Sequence, residues 1–203
     1  MLCTTMLIPQ YTILGANMVT SYNKTEDLLS DGGSDKETPP VAVNHIGHTV
    51  PDIKAAIEWY RAVLGFTIVS PPSTISAASG HFANLFADIV DEFESVKLAH
   101  MEAADGTGFE LFEYESAPKD GNARDPPDRG NWQAPAGIHH FAVTHPNVEE
   151  IVERIEDNDG EPHSDVWRVF PDQEYELAYV RDPWGNFVEV YSHTYAQFFA
   201  NQE

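Results

Sequence analysis

His45, Glu110, His140 and Glu189 each sit inside a short apolar segment that reads as a strand. The segments are AVNHIGHTV, GFELFEY, GIHHFAVT and NFVEVYS. Imidazoles and carboxylates at mid-strand, on a face expected to be buried, cost free energy unless something pairs them. A divalent metal pairs all four at once. Two imidazoles and two carboxylates form an N2O2 donor set that binds first-row metals and leaves positions for water or substrate.

The four come from a long-period repeat, each copy supplying one His and one Glu. Copy one runs His45-Ile-Gly-His-Thr-Val-Pro-Asp, then a helical stretch, then Phe-Glu110-Leu-Phe. Copy two runs His140-Phe-Ala-Val-Thr-His-Pro-Asn, then a helical stretch, then Val-Glu189-Val-Tyr. This period is too long for a solenoid and points to a duplicated unit of strand, helix and three strands.

The elements that must position the four follow from periodicity. In the first strand His45, Gly47 and Thr49 share one face, and Ile46, His48 and Val50 the other. Asp52 is placed to cap a helix, DIKAAIEWYRAVLG, with apolar residues at helical spacing and Gly65 at its end. Ile46 and Val50 then pack on that helix, and His45 faces the open side. Strands are expected at about 95–103 and 107–114. The second helix is NVEEIVERIEDN, and the last strands run through SDVWRVF, YELAYVRD and NFVEVYS, with Asp182-Pro-Trp-Gly185 as a tight turn. The resulting organisation is an arm at 1–40, a first module at 41–115 with an insertion at 71–94, a linker at 116–136, a second module at 137–195 and a tail at 196–203. The insertion opens with PPSTISAASG, read as a loop.

Parity also separates the four from their neighbours. His48 and His139 are decoys, one on the far face of its strand and the other directed to its helix or a partner. Glu113 falls opposite Glu110. His100, His145, His163 and His193 read as surface or core histidines. Thr49, Phe112, Tyr114, Thr144, Phe187 and Tyr191 share the face of the candidate ligands and form a mixed lining for a small organic substrate. Arg168, inside a second-module strand, is the expected cation of that lining.

Charge narrows the partners. Against 33 Asp and Glu stand 11 Lys and Arg, a net charge of −22. Nucleic acid and anionic membrane are excluded as partners, because both require clustered cations. So acidic a surface suits a protein working in high salt. The lone Cys3 precludes an internal disulfide and fits a reducing cytoplasm. No apolar run reaches membrane-spanning length. The apolar arm (Met6 to Leu14) and the aromatic tail (Tyr195, Phe198, Phe199) are expected to cover apolar edges in a homodimer.

The stretches HIGHTVPDIKAAIEWYRAVLGF, GFELFEY, GIHHFAVT and YVRDPWGNFVEVYSH resemble the vicinal oxygen chelate superfamily, the glyoxalase, bleomycin-resistance and ring-cleaving dioxygenase group. The resemblance covers about residues 41–195. It implies an α+β fold in which two βαβββ modules form an open barrel cupping one divalent metal (Ni, Co, Mn, Fe, Mg or Zn), held by His45, Glu110, His140 and Glu189. It further implies a glyoxalase-type lyase or isomerase acting through an enediolate, with Glu189 or Glu110 as base and Glu189 favoured. A thiol cosubstrate is left open, since glutathione and coenzyme A call for cations this chain scarcely has. One alternative is an Fe(II) ring-cleaving dioxygenase. The run from Tyr179 through Asp182-Pro-Trp-Gly185 to Glu189 matches half of that signature, but the preceding FPDQEYELA lacks its histidine. The other is a non-catalytic, drug-sequestering binding protein, which the full ligand set argues against.

Overall fold

In a computed structural model of the protein, residues 41–78, 94–115 and 138–200 are described. The chain divides into two compact units, Met1–Val41 and Ala42–Glu203, and the elements below belong to the second. The expected arm, the linker and residues 79–93 lie outside the described residues.

Asp52 starts the first helix as expected: its carboxylate accepts from the Lys54 and Ala55 amides at 2.9 and 3.0 Å. Helix α1 (Ile53–Val63) buries Ile53, Ala56, Ile57, Trp59, Tyr60 and Val63. Gly65 follows with φ 72°, the left-handed conformation that turns the chain back. Helix α1 joins β1 (His45–Thr49) to β2 (Thr67–Ser76), β3 (Ser95–Glu102) and β4 (Gly108–Tyr114). Their sheet runs β1-β4-β3-β2, with β1 parallel to β4 and the other pairs antiparallel.

The second module repeats the plan. Asn147 caps helix α2 (Val148–Glu156) by accepting from the Glu150 amide at 3.1 Å. Strand β5 (Phe141–Thr144) lies parallel to β9 (Phe187–Tyr191), which pairs antiparallel with β8 (Glu176–Arg181). Two short strands, β6 (Glu161–Pro162) and β7 (Trp167–Arg168), both pair with β8. Asp182 to Gly185 closes as the expected turn, the Gly185 amide donating to the Asp182 carbonyl at 3.0 Å.

One core joins the two modules. Val50, Ile57, Tyr60, Phe109 and Leu111 of the first pack in the same cluster as Ile151, Ile155, Ala178, Val180, Val188 and Val190 of the second. Polar contacts cross the same boundary. The Trp59 indole donates to the Asn158 carbonyl at 2.7 Å, and Arg154 donates to the Val63 carbonyl at 3.1 Å.

Three expectations need correction. The first part of the supposed 71–94 insertion is strand: β2 runs on to Ser76, with Ser73 opposite Leu98 and Ile75 opposite Val96. Pro71 and Pro72 fall in a register shift between Ser70 and Ser73, where no ladder donor is required. The strand read through SDVWRVF shrinks to Trp167–Arg168, and a separate short strand just before that segment, Glu161–Pro162, was not foreseen. The tail forms helix α3 (Tyr195–Phe199), and Phe198 is fully buried within the chain, packed on Tyr191 and Tyr175. Only Tyr195 and Phe199 of its aromatics stay exposed for a partner.

Candidate functional site

The alternation of β1 and β4 sorts their side chains as read. His45, Gly47 and Thr49 are exposed while Val50 is buried, and Phe109 and Leu111 enter the core while Glu110, Phe112 and Tyr114 take the other face. In the parallel register Gly47 lies opposite Glu110 and His45 opposite Gly108. Glycine at 108 is a packing requirement, since a Cβ there would come within 2.8 Å of the His45 Cβ. A Cβ at Gly47 would press on the Phe112 ring at 3.2 Å. The two glycines thus make room for His45 and for the aromatic lining.

The structure brings the four candidate ligands together as two pairs, one on each sheet. His45 Nε2 lies 3.5 Å from Glu110 Oε2, and His140 Nε2 lies 3.0 Å from Glu189 Oε2. Among the described residues no three His, Cys, Asp or Glu side chains gather into one group able to hold a metal. Within each pair the separation suits neighbouring ligands of one ion, because donors about 2.1 Å from a metal stand about 3.0 Å apart at a right angle and about 3.4 Å apart at a tetrahedral one. His45 adds a chemical argument. Its Nδ1 lies 2.8 Å from Asn44 Oδ1, and a ring N–H donating to that amide oxygen puts the proton on Nδ1 and the lone pair on Nε2. The Nε2 lone pair then faces a carboxylate oxygen, and two acceptors so close repel unless a proton or a metal cation lies between them. Each pair taken singly has the donor chemistry of neighbouring ligands of a divalent cation, but the four expected ligands are not gathered into one group.

Each pair has further partners that the sequence reading missed. His139 Nδ1 meets His140 Nδ1 at 2.9 Å, so the residue just before each candidate ligand imidazole engages its Nδ1, as Asn44 does for His45. His139 was expected to face its helix or a partner. Residues 138–140 precede β5, so strand alternation does not govern them, and His139 stacks on Phe187 at 5.5 Å on the side of Glu189. The carboxylates also have equivalent cross-strand partners: His100 stands opposite Glu110, and Tyr179 opposite Glu189. His100, read as a plain surface or core histidine, places Nε2 3.5 Å from Glu110 Oε1.

Glu189 is the more enclosed carboxylate, 4% exposed. It accepts the Tyr191 hydroxyl at 2.8 Å and is hydrogen-bonded by Tyr179 as well. Burial, and then the bond to Glu189, pushes both phenols well above the ordinary tyrosine range, so they act as fixed donors. Hydrogen bonding of this kind orients the carboxylate.

Of the other lining residues, Thr49, Phe112, Tyr114, Thr144, Phe187 and Tyr191 lie on the faces that carry the two pairs. Phe112 stacks on Tyr114 and packs with Val96 and Leu98. Arg168 stands opposite Glu176, in phase with the core residues Ala178 and Val180, and so on the face away from Glu189. The arginine in phase with Glu189 is Arg181, opposite Phe187. His48 takes the core side, against Phe109, Tyr60 and Phe141. Glu113, on the face opposite Glu110, accepts from the first amide of α1, at Ile53, at 2.9 Å.

Comparison with known proteins agrees with the fold. Residues 42–190 match the sequence profile of the Glyoxalase/Bleomycin resistance protein/Dioxygenase superfamily. A 2-epi-5-epi-valiolone epimerase from Actinomyces sp is 28% identical over 159 residues, covering 74% of this chain and 78% of the relative. A glyoxalase family protein from Bacillus cereus superposes with a TM-score of 0.61 at 18% identity, over 78% of this chain and 97% of the other. A glyoxylase/bleomycin resistance protein/dioxygenase domain from Frankia gives 0.50 at 15% identity, over 75% and 92%. The α+β architecture of paired modules is the glyoxalase fold. The chain belongs to the Glyoxalase/Bleomycin resistance protein/Dioxygenase superfamily.

Proposed function

We propose that the protein is a metal-dependent enzyme that moves a proton on a small, oxygen-rich organic substrate, in the isomerase and lyase branch of its superfamily. The observation that carries this reading is the duplicated His–carboxylate pair, at 3.5 Å in one module and 3.0 Å in the other. The epimerase relative supports isomerisation as the reaction class. Epimerisation and glyoxalase-type conversion share one step, removal of a proton from a carbon beside a carbonyl.

His45 and His140 through Nε2, with Glu110 and Glu189 through their carboxylates, would hold the ion. A bound divalent cation would polarise vicinal substrate oxygens and offset the negative charge of an enediolate. Glu189 is the favoured base: the Tyr191 hydroxyl donates to its Oε1 and Tyr179 also bonds the carboxylate, holding it in place to take the proton. Glu110 is the second carboxylate, available to return it. Thr49, Phe112, Tyr114, Thr144, Phe187 and Tyr191 line the substrate space, and the enzyme works as a cytoplasmic homodimer.

The test combines metal analysis of the purified protein with substrate screens in D2O. We expect about one divalent ion per site and deuterium at the product carbon when α-hydroxyketones or hemithioacetals are turned over. A protein that takes up no divalent ion refutes the reading. Oxygen uptake with catechols, and no solvent deuterium in any product, replaces it with ring cleavage.

A further inference from the structure

Arg181 is an arginine almost wholly withdrawn from solvent without an anion to match it. The residue is 5% exposed, and its Nε is buried with no hydrogen-bond partner. No carboxylate forms an ion pair with it among the described residues. Glu161 lies opposite it in the β6–β8 register. Its guanidinium instead lies over the Phe187 ring, 4.3 Å from the centroid. A cation–π contact offsets only part of what withdrawing an unpaired charge from water costs. Arg181 therefore holds unspent capacity to bind an anion.

Its place on the sheet says which anion would use it. Arg181 and Phe187 form one cross-strand pair, and Tyr179 and Glu189 form the next on the same face. Two residues along a strand is about 7 Å. A group bound at Arg181 would thus sit about one small substituent away from the carboxylate of the candidate metal site. The guanidinium fork matches an oxyanion, either carboxylate or phosphate, in bidentate fashion. In a chain of net charge −22, a buried cation at this position is a local exception to a field that repels anions.

We propose that Arg181, seated on Phe187, is an oxyanion subsite, and that the substrate is a small oxygen-rich molecule bearing a carboxylate or phosphate. This rests on the proposed function for its location beside the reacting centre, but not for the binding of the anion itself.

The experiment is calorimetric titration of the full chain, as purified and again after treatment with EDTA, using inorganic phosphate in one arm and glycolate in the other. We expect saturable binding in both preparations, at least tenfold weaker in Arg181→Met and at least fivefold weaker in Arg181→Lys, which keeps the charge but loses the fork. The tighter arm identifies the anionic group. In anion-free buffer Arg181→Met should melt no lower than the native chain, because the substitution removes an uncompensated buried charge. Should Arg181→Met not fold, Arg181→Lys decides. Equal affinity in the native and substituted chains, or no saturable anion binding by the native chain, overturns the proposal. Because binding is read on the EDTA-treated protein too, a chain that takes up no metal refutes the enzyme reading alone.

Discussion

Tyr60 donates its hydroxyl proton to Asp182 Oδ2 over 2.7 Å, tying the helix of the first module to the last turn of the second across 122 positions of sequence. Both groups are buried, and Asp182 also accepts from the Trp184 amide and from Asn186 through its backbone and its side chain. The nearby His48 imidazole stands 3.7 Å away, longer than a hydrogen bond. Tyr60→Phe should cost about 1.5–3 kcal/mol, the worth of a buried hydrogen bond to a charged acceptor. Chemical denaturation of the two chains measures it; a difference near zero would mean that the modules do not depend on this link.

The same pair sets a pH window. Burial by itself would raise the Asp182 carboxyl, but His48, Tyr60 and Asn186 outweigh it and hold the group below the ordinary aspartate range. The folded state therefore prefers the ionised form, and its contribution is complete above the unfolded value of about 3.9 and lost as pH falls through the folded one. Tyr60 runs the other way. Burial first, then the Asp182 charge, raises its phenol well above the ordinary value. Its contribution is complete below about pH 10 and lost as pH climbs towards the folded value. Melting temperatures should thus fall below about pH 4 and above about pH 10, and Asp182→Asn should flatten the acid limb. An unchanged acid limb in that variant would separate Asp182 from acid stability.

The metal reading makes its own demand. His140→Ala and Glu189→Gln should each lose most bound divalent ion, since each breaks one donor pair. Glu110→Ala should weaken metal binding and abolish isomerase turnover. Catechol-dependent oxygen uptake surviving in that variant would mean that His45, His140 and Glu189 suffice, and would favour ring cleavage.

The parity of β4 and β9 was legible because one face of each strand is solidly apolar: Phe109 and Leu111, or Val188 and Val190, leave no choice for Glu110 and Glu189. Caps were legible for the same local reason, at Asp52 and Asn147. What the sequence hid was cross-strand register. That His100 stands opposite Glu110, and Tyr179 opposite Glu189, depends on which residues of β3 and β8 pair with which, and turn lengths alone left this open. Arg168 was favoured as an arginine inside a second-module strand, and only the register shows that Arg181, not Arg168, shares the face of Glu189. Asn44 and His139 were concealed differently: each precedes its strand, where alternation no longer governs the side chain.

Asn44 and His139 give a sharp prediction about ring chemistry. An acceptor at Nδ1 leaves the lone pair on Nε2, the state needed to bind a metal through that nitrogen. Long-range nitrogen–proton spectra should show His45 protonated at Nδ1. Asn44→Ala should lose that preference and bind divalent metal about tenfold more weakly, while Asn44→Asp should retain both. The Nδ1 tautomer persisting in the alanine variant would show that Asn44 does not set it.

Gly108 should prove intolerant for a reason specific to the site. A Cβ there would stand 2.8 Å from the His45 Cβ and 3.2 Å from the Asn44 carbonyl, so even Gly108→Ala must displace β1 or turn the imidazole. Metal affinity should drop at least tenfold, and the melting point should fall with it. Gly106→Asn supplies the control: that glycine has φ 85° with nothing near its missing Cβ, and asparagine tolerates such angles better than other residues. Its metal affinity should match the native chain. Equal affinity in both variants would place the ion away from His45.

Salt should stabilise both the fold and the expected dimer. A charge of −22 on one chain repels itself and repels a second copy more strongly at association. Screening shortens the reach of these charges from about 30 Å at 0.01 M salt to about 3 Å at 1 M, while the buried pairs around Asp182 and Glu189 are far less affected. Apolar surface for a dimer contact remains at Ile138, Tyr195 and Phe199, at 82%, 78% and 51% exposure, and burial of such surface is not weakened by salt. The melting point and the dimer fraction should therefore rise together from low to molar salt. Light scattering and thermal melts across a sodium chloride series check this. A monomer at every concentration, or a melting point that falls as salt is added, would count against self-association through these apolar residues.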